Sequence, residues 1–166
     1  MTDSNEHIDN TEDVARILHR SWVINGILQH YAFVLRRNET YLSVNRPAKP
    51  SYNSDVTSFV SAHPDFYSNE DRTEYMRALI NVGGIRETEI TTNGIKLNIE
   101  VEVEPRDSHT KSHAGIFTRH EGHNIKYDET LHFATTEDEV SSNEVLLEVR
   151  YRLLKLAHLE KCALGA

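Results

Sequence analysis

Histidine is the residue type most unevenly placed in this chain. Five of the ten histidines fall between positions 109 and 132: His109, His113, His120, His123 and His132. Near neutral pH an imidazole offers either a lone pair to a metal or a proton to acid–base chemistry. His109 and His113 have the same parity, so an extended chain puts both on one face. His120 and His123 flank a turn at Glu121-Gly122 that would let them converge. A zinc ion needs three or four donors at about 2 Å, and Glu121 or Asp128 would complete such a set. The spacing matches no closed metal motif, however, with no His-Glu-x-x-His and no cysteine pair. Solvated histidines around a hairpin are the simpler account. His109, His113, His120 and His123 therefore stand as candidate ligands only, and no cofactor is expected.

A second set lies between Ser21 and Pro47: Trp22, Arg36, Arg37, Glu39, Ser43 and Arg46. Ser43 and Arg46 sit where a short strand gives way to a loop rich in proline (Pro47, Pro50), a common place for functional groups. Arginine suits two-point recognition of a carboxylate or phosphate, and His113 would serve as general base or ligand anchor. Ser43, Arg46 and His113 are thus the candidate site of a small enzyme or an anionic-ligand-binding domain. Aromatics interleaved with bases, from Arg20 through Trp22, Tyr31, Phe33 and Tyr41 to Arg46, also fit stacking on single-stranded nucleic acid. A formal charge of −8 opposes that reading, since neutralising phosphate dominates such affinity. Equally, Trp22, Phe33 and Leu42 fit a core over which the arginines extend.

Familiar catalytic frames are missing. There is no Gly-x-Ser-x-Gly elbow, and Gly83-Gly84 is an isolated pair better suited to capping a helix than to cradling phosphate. Cys162, between Leu159 and Leu164, reads as packing and not as a nucleophile. Glu100, Glu102 and Glu104 line a wet strand face.

The 166 residues suit one domain, and 38% hydrophobic with 27% charged residues is too apolar for general disorder. One cysteine rules out an internal disulfide and points to a reducing cytoplasm. Residues 1–13 hold five acids and no Lys or Arg, the reverse of a targeting segment, and no apolar run reaches membrane-spanning length. Six more acids lie in 127–147, again without Lys or Arg, whereas residues 16–49 hold six bases against Glu39 alone. Acidic segments of this kind are mostly solvated.

The elements that must position these groups read as follows. Residues 1–10 form an acidic tail and 11–166 a single α+β domain. Thr11 caps a helix to His19, and strands cover 31–35 and 40–44. Helices run from Ser54 or Asp55 to Ala62 and from Asn69 to Asn81, the second on a stripe of Tyr75, Met76, Leu79 and Ile80. From Ile95 to Glu104 apolar and polar residues alternate without error, so this is a strand wet on one side, which belongs to an antiparallel sheet. Asn93-Gly94 is the preferred pair for a tight hairpin, with 86–92 as partner strand. Strands at 114–119 and 124–127 flank Glu121-Gly122, and 131–134 adds an edge. A long C-terminal helix, 142–164, carries Val145, Val149, Leu153, Leu156 and Leu159 on one stripe. The expected architecture is α+β, an antiparallel sheet with helices packed on one face.

Two segments together carry a resemblance. His19-Arg20 through Trp22, Gly26-Ile27, Ala32-Phe33, Glu39 and Leu42-Ser43-Val44 form one block, and Ser112-His113-Ala114-Gly115-Ile116 forms the other. The pairing resembles small bacterial proteins of uncharacterised activity with an "AF…E…LSV" block and a later "HA-x-I" block. The resemblance implies no chemistry; it implies that Ser43 and His113 meet in space. With no complete catalytic frame beside a well-signalled scaffold, the sequence favours a non-enzymatic binding or accessory protein of a bacterial operon. Its partner would be another protein or a second copy, not nucleic acid and not a membrane. The small enzyme or anionic-ligand domain, and then the histidine metal site, are the alternatives.

Overall fold

A computed structural model describes residues 7–36, 39–92, 94–103, 111–132 and 139–165. Twelve strands and four α-helices alternate along them. The strands are β1 Asp13–Ile17, β2 Val23–Ile24, β3 Ile27–Leu28, β4 Leu42–Asn45, β5 Glu74–Asn81, β6 Glu89–Thr92, β7 Ile95–Val103, β8 His113–His120, β9 His123–Asn124, β10 Thr130–His132, β11 Glu139–Ser141 and β12 His158–Ala163. The helices are α1 Tyr52–Ala62, α2 Pro64–Tyr67, α3 Val82–Glu87 and α4 Ser142–Leu156, with 3-10 turns at Arg20–Trp22 and His30–Phe33. Seven strands form a curled antiparallel sheet in the order β12-β5-β1-β4-β8-β7-β6, and β9 adds to β8.

The α+β class and the antiparallel sheet agree with the sequence, and β7 shows why. Ile95, Leu97, Ile99 and Val101 are buried while Lys96, Asn98 and Glu102 are exposed, so the period of two is written in the side chains. Thr92 pairs with Ile95 across the two residues between them. Gly94 holds φ +80°, a conformation other residues rarely adopt. Asn93 lies outside the described residues. The turn at Glu121-Gly122 has φ of 50° and 80° and pairs His120 with His123.

Three strands were expected as helix. β1 replaces a helix over 11–19, β5 replaces the end of one over 69–81, and β12 replaces the last turns of one over 142–164. β1 and β5 are central strands buried on both faces. Val14, Leu18, Ala78 and Ile80 join the larger core, and Ala15, Ile17, Tyr75 and Leu79 join a smaller one on the opposite side. Burial on two faces removes alternation and leaves a short apolar run that a helix pattern also fits. α4 stops at Leu156, where Ala157 turns extended (ψ 139°), and β12 then pairs six residues with β5. No glycine or proline marks that stop; the unpaired edge of β5 does. The expected strand at 31–35 is instead a 3-10 turn, and Gly83-Gly84 opens α3 after the Asn81 cap instead of closing a helix.

The helices do not share one face. α4 buries Val145, Leu146, Val149 and Leu153 in the larger core with α3. α1 buries Tyr52, Val56 and Val60 against Ala15, Ile17 and Tyr75 in the smaller. Ile8 is 1% exposed and its carbonyl accepts from Arg86 at 2.5 Å, so burial begins within the stretch read as an acidic tail. Among the described residues no helix is long and apolar enough to cross a membrane.

Candidate functional site

The site lies where two strands part. β1 pairs with β5 over five residues but with β4 at one position only, Ala15↔Asn45. Beyond it Arg16 joins the two strands through its side chain: Nη1 donates to the Ser43 carbonyl (2.8 Å) and Nε to the Ala32 carbonyl (2.9 Å). On the other side β4 is continuous with β8, with Ser43↔Gly115 and Asn45↔His113 in register. Leu42 and Val44 point into the larger core. By strand alternation Ser43 and Asn45 face the opposite side, where α1 lies. Asp55 on α1 accepts from Ser112 N–H (3.0 Å), Ser112 Oγ (2.6 Å) and Ser51 Oγ (3.0 Å), and Asn45 Nδ2 donates to Ser112 Oγ (2.9 Å). That network fixes the start of α1 against the start of β8 and leaves a cleft between them.

The cleft has a volume of about 550 Å³ and is walled by Arg16, Trp22, Arg36, Glu39, Ser43, Asn45, Asp55, Phe59, Tyr67 and His113, among others. His113 Nε2 and Ser43 Oγ stand 3.2 Å apart. The pair implied by the two sequence blocks is therefore brought together, and the one-residue register between Asn45 and His113 is what does it. Arg46 is not part of it. Its side chain turns away, 4% exposed, and makes a two-point ion pair with Glu12 at 3.0 and 2.8 Å.

The arginines of the cleft are Arg16, which the sequence did not single out, and Arg36, which belonged to the second set but not to the candidate site of Ser43, Arg46 and His113. Both guanidinium groups lie over Trp22, at 5.3 and 5.8 Å from a ring centroid. Arg16 is buried, and among the described residues neither arginine has a carboxylate oxygen within 4.0 Å. The acids nearby are engaged elsewhere: Glu39 accepts the Arg36 backbone N–H (2.6 Å), and Asp55 serves the hydroxyls and amide above. Burial pushes the Arg16 guanidinium down to about 10; Arg36 adds to this while Glu39 and Tyr67 oppose it. A buried cation without a carboxylate carries a desolvation cost of several kcal/mol. One sign was available in the sequence, a lone arginine inside the apolar run Val14 to Leu18, since arginine is almost never buried unless partnered.

The metal candidates disperse. His113 faces Ser43, His120 Nδ1 lies 3.1 Å from the Lys96 carbonyl, and His123 Nε2 lies 2.6 Å from Glu129. His109 is outside the described residues. Among those described, no group of three or more His, Cys, Asp or Glu is placed to hold a metal. Cys162 sits on β12 opposite Tyr75, in the smaller core and not on a helix. Comparison with known protein families, curated proteins and solved structures gives no match for this chain.

Proposed function

We propose that this protein is a non-enzymatic binding protein whose ligand is a small anion held in the cleft between α1 and β4–β8. The observation that carries this reading is Arg16, a buried guanidinium that opens on the cleft with two carbonyls and an indole face but, among the described residues, no carboxylate oxygen within 4.0 Å. Glu39 acts on Arg16 from beyond 4.0 Å, and an anion entering there would place a counter-charge in direct contact with the guanidinium, where in a site of low dielectric the attraction is strong. Arg36 supplies a second, exposed cation, and Ser43 and His113 supply hydrogen bonds. The role first given to Arg46 thus passes to Arg16 and Arg36. Partner binding through α4 is less well supported, because its apolar stripe is already consumed by the core; Leu147, Tyr151 and Leu156 alone stay exposed.

Thermal unfolding with phosphate, citrate and succinate tests the proposal. A ligand at a hundredfold its Kd stabilises the folded state by about 2.7 kcal/mol, which in a chain of this size raises Tm by roughly 5–10 °C. Arg36→Ala and Ser43→Ala, both at exposed positions, are expected to fold normally and to lose most of that rise. An equal rise in wild type and both variants, or none with any anion, overturns the proposal.

A further inference from the structure

A second hollow of about 440 Å³ adjoins the cleft and shares Arg36, Phe59 and Tyr67 with it. Its remaining walls are His19, His63 and Phe66, so five rings and one guanidinium surround it. The rings support one another. His19 stacks on Phe66 at 5.2 Å and 26°, Tyr67 meets His19 edge-on at 5.5 Å, and Phe59 packs on Tyr67 at 4.7 Å. His19 is fixed by Ser21, whose N–H donates to Nδ1 at 3.1 Å. α2 exists to hold this group: Pro64 sets its first turn, and Ser68 closes it by donating to the Pro64 carbonyl at 2.6 Å. Yet Phe66 is 54% and Phe59 41% exposed. Rings held in place by one another while their faces stay wet form a stacking surface, not a finished core.

Building on the anion reading above, we infer that the ligand is an anion tethered to a planar ring. The charged group lies at Arg16 and Arg36, and the ring lies on the shelf of His19, Phe59, Phe66 and Tyr67. Arg36 is the hinge of the argument, because it borders both hollows and so fixes the anion beside the shelf. Charge and apolar surface are adjacent here in the same order as in a nucleoside monophosphate or an aryl carboxylate. These two sources share the chemistry, and matched ligands distinguish them.

The experiment is calorimetric titration of the whole chain with pairs that differ only by the ring: phenyl phosphate against methyl phosphate, adenosine 5′-monophosphate against ribose 5-phosphate, and phenylacetate against acetate. The ring-bearing member of at least one pair is expected to bind more tightly by about fivefold to a hundredfold, the range for one stacked ring; the pair that responds identifies the source. Phe66→Ala, which lines the second hollow and not the anion cleft, should reduce that ratio while leaving methyl phosphate or acetate binding unchanged; Phe59→Ala, on the wall of both, should also reduce the ratio, and Arg36→Ala should weaken both members alike. Equal binding by both members of every pair, or ratios unmoved by the two phenylalanine variants, overturns the inference and leaves the anion reading standing. No binding by any member overturns both.

Discussion

Gly115 has no side chain because the space above its Cα belongs to Tyr41. A Cβ built there would lie 2.6 Å from Tyr41 Cδ2, 3.0 Å from Tyr41 Cγ and 3.0 Å from Phe117 Cε2. Ordinary contact begins near 3.4 Å, so Gly115→Ala forces the Tyr41 ring to move by most of an ångström. The clash falls on Cγ as well as Cδ2, and the ring must swing about its own Cα–Cβ bond. Phe117, 7% exposed and 5.1 Å from the Tyr41 ring, crowds the same Cβ. Overpacking of this kind costs about 1–3 kcal/mol, against which alanine regains about 0.5–1 kcal/mol of the backbone entropy that glycine loses in a strand. The net expectation is a loss near 1–2 kcal/mol, or roughly 2–8 °C in Tm, measured by thermal and urea unfolding. Tyr41→Ala provides the internal control: in that background Gly115→Ala should be neutral or stabilising, and a double-mutant cycle isolates the coupling. Tyr41 also lies 6.0 Å from the His113 ring, so the single variant should weaken anion binding where the double variant does so less. If Gly115→Ala is harmless beside an intact Tyr41, or equally harmful without it, the close approach is not what keeps this position glycine.

Three further outcomes follow from the same geometry. Asn81→Ala should destabilise by about 0.5–2 kcal/mol in urea titration, because its side chain caps α3 by accepting from Gly84 N–H at 2.9 Å and donates to the Asn10 and Glu12 carbonyls; an unchanged midpoint would refute the cap. Leu153→Ala, at a fully buried α4 position, should cost about 2–5 kcal/mol, and a loss below 1 kcal/mol would mean that α4 is not packed on the sheet. Acid should weaken the fold through two carboxyls: hydrogen bonding and charge from Arg119 outweigh burial and hold Glu102 below the usual 4.5, while for Glu129 burial pulls upward but Lys126 and His123 overcome it and the direction is again down. The unfolded chain therefore binds more protons near pH 4, so this stability is fully present above about 4.5 and lost as pH falls through the lower folded values; Glu102→Gln/Glu129→Gln should flatten the decline, and an unaltered slope between pH 5 and 3 would refute it.

What could be read in the sequence follows from which residues are wet on one side. β7, β6, the turns at Gly94 and Gly122, and α1 were visible because each shows water to one face or needs a special backbone angle, and both leave marks on residue type; β8, buried from Ala114 to Thr118, was marked instead by the turn that follows it. β1 and β5 were not, since Val14-Ala15-Arg16-Ile17 and Tyr75-Met76-Arg77-Ala78-Leu79-Ile80 are covered on both faces and each carries an arginine whose partners lie far away in sequence. Arg77 donates to Tyr52 at 2.9 Å and pairs with Glu160 at 2.8 Å, so its environment did not exist until α1 and β12 were placed. β12 had no local signal at all, as a helix stripe running through Leu156 to Leu159 fits the helical period as well as an edge strand does. That Ser43 and His113 meet was implied by the resemblance of the two blocks alone; the register that joins them, Ser43↔Gly115 and Asn45↔His113, leaves no mark on residue type. Arg46, taken with them for its position at a strand end, was misjudged by parity: it is three residues from Ser43 and faces the other way.

The same parity accounts for why the cleft is where it is. The sheet separates a larger core from a smaller one, and a gap opens in it where two neighbours diverge, here between β1 and β4, where only one register pair survives. An apolar residue at position 16 would close that gap without desolvating a charge, and replacing buried ionic groups by apolar ones is often stabilising. Arg16 closes it instead with a guanidinium that reaches two carbonyls and leaves its charge facing an open hollow. The two carbonyls need hydrogen bonds and not a net charge; it is the Trp22 face that draws on the charge within the fold. The anion proposed above would gain from the same charge, because the cation is already dehydrated and already held in place.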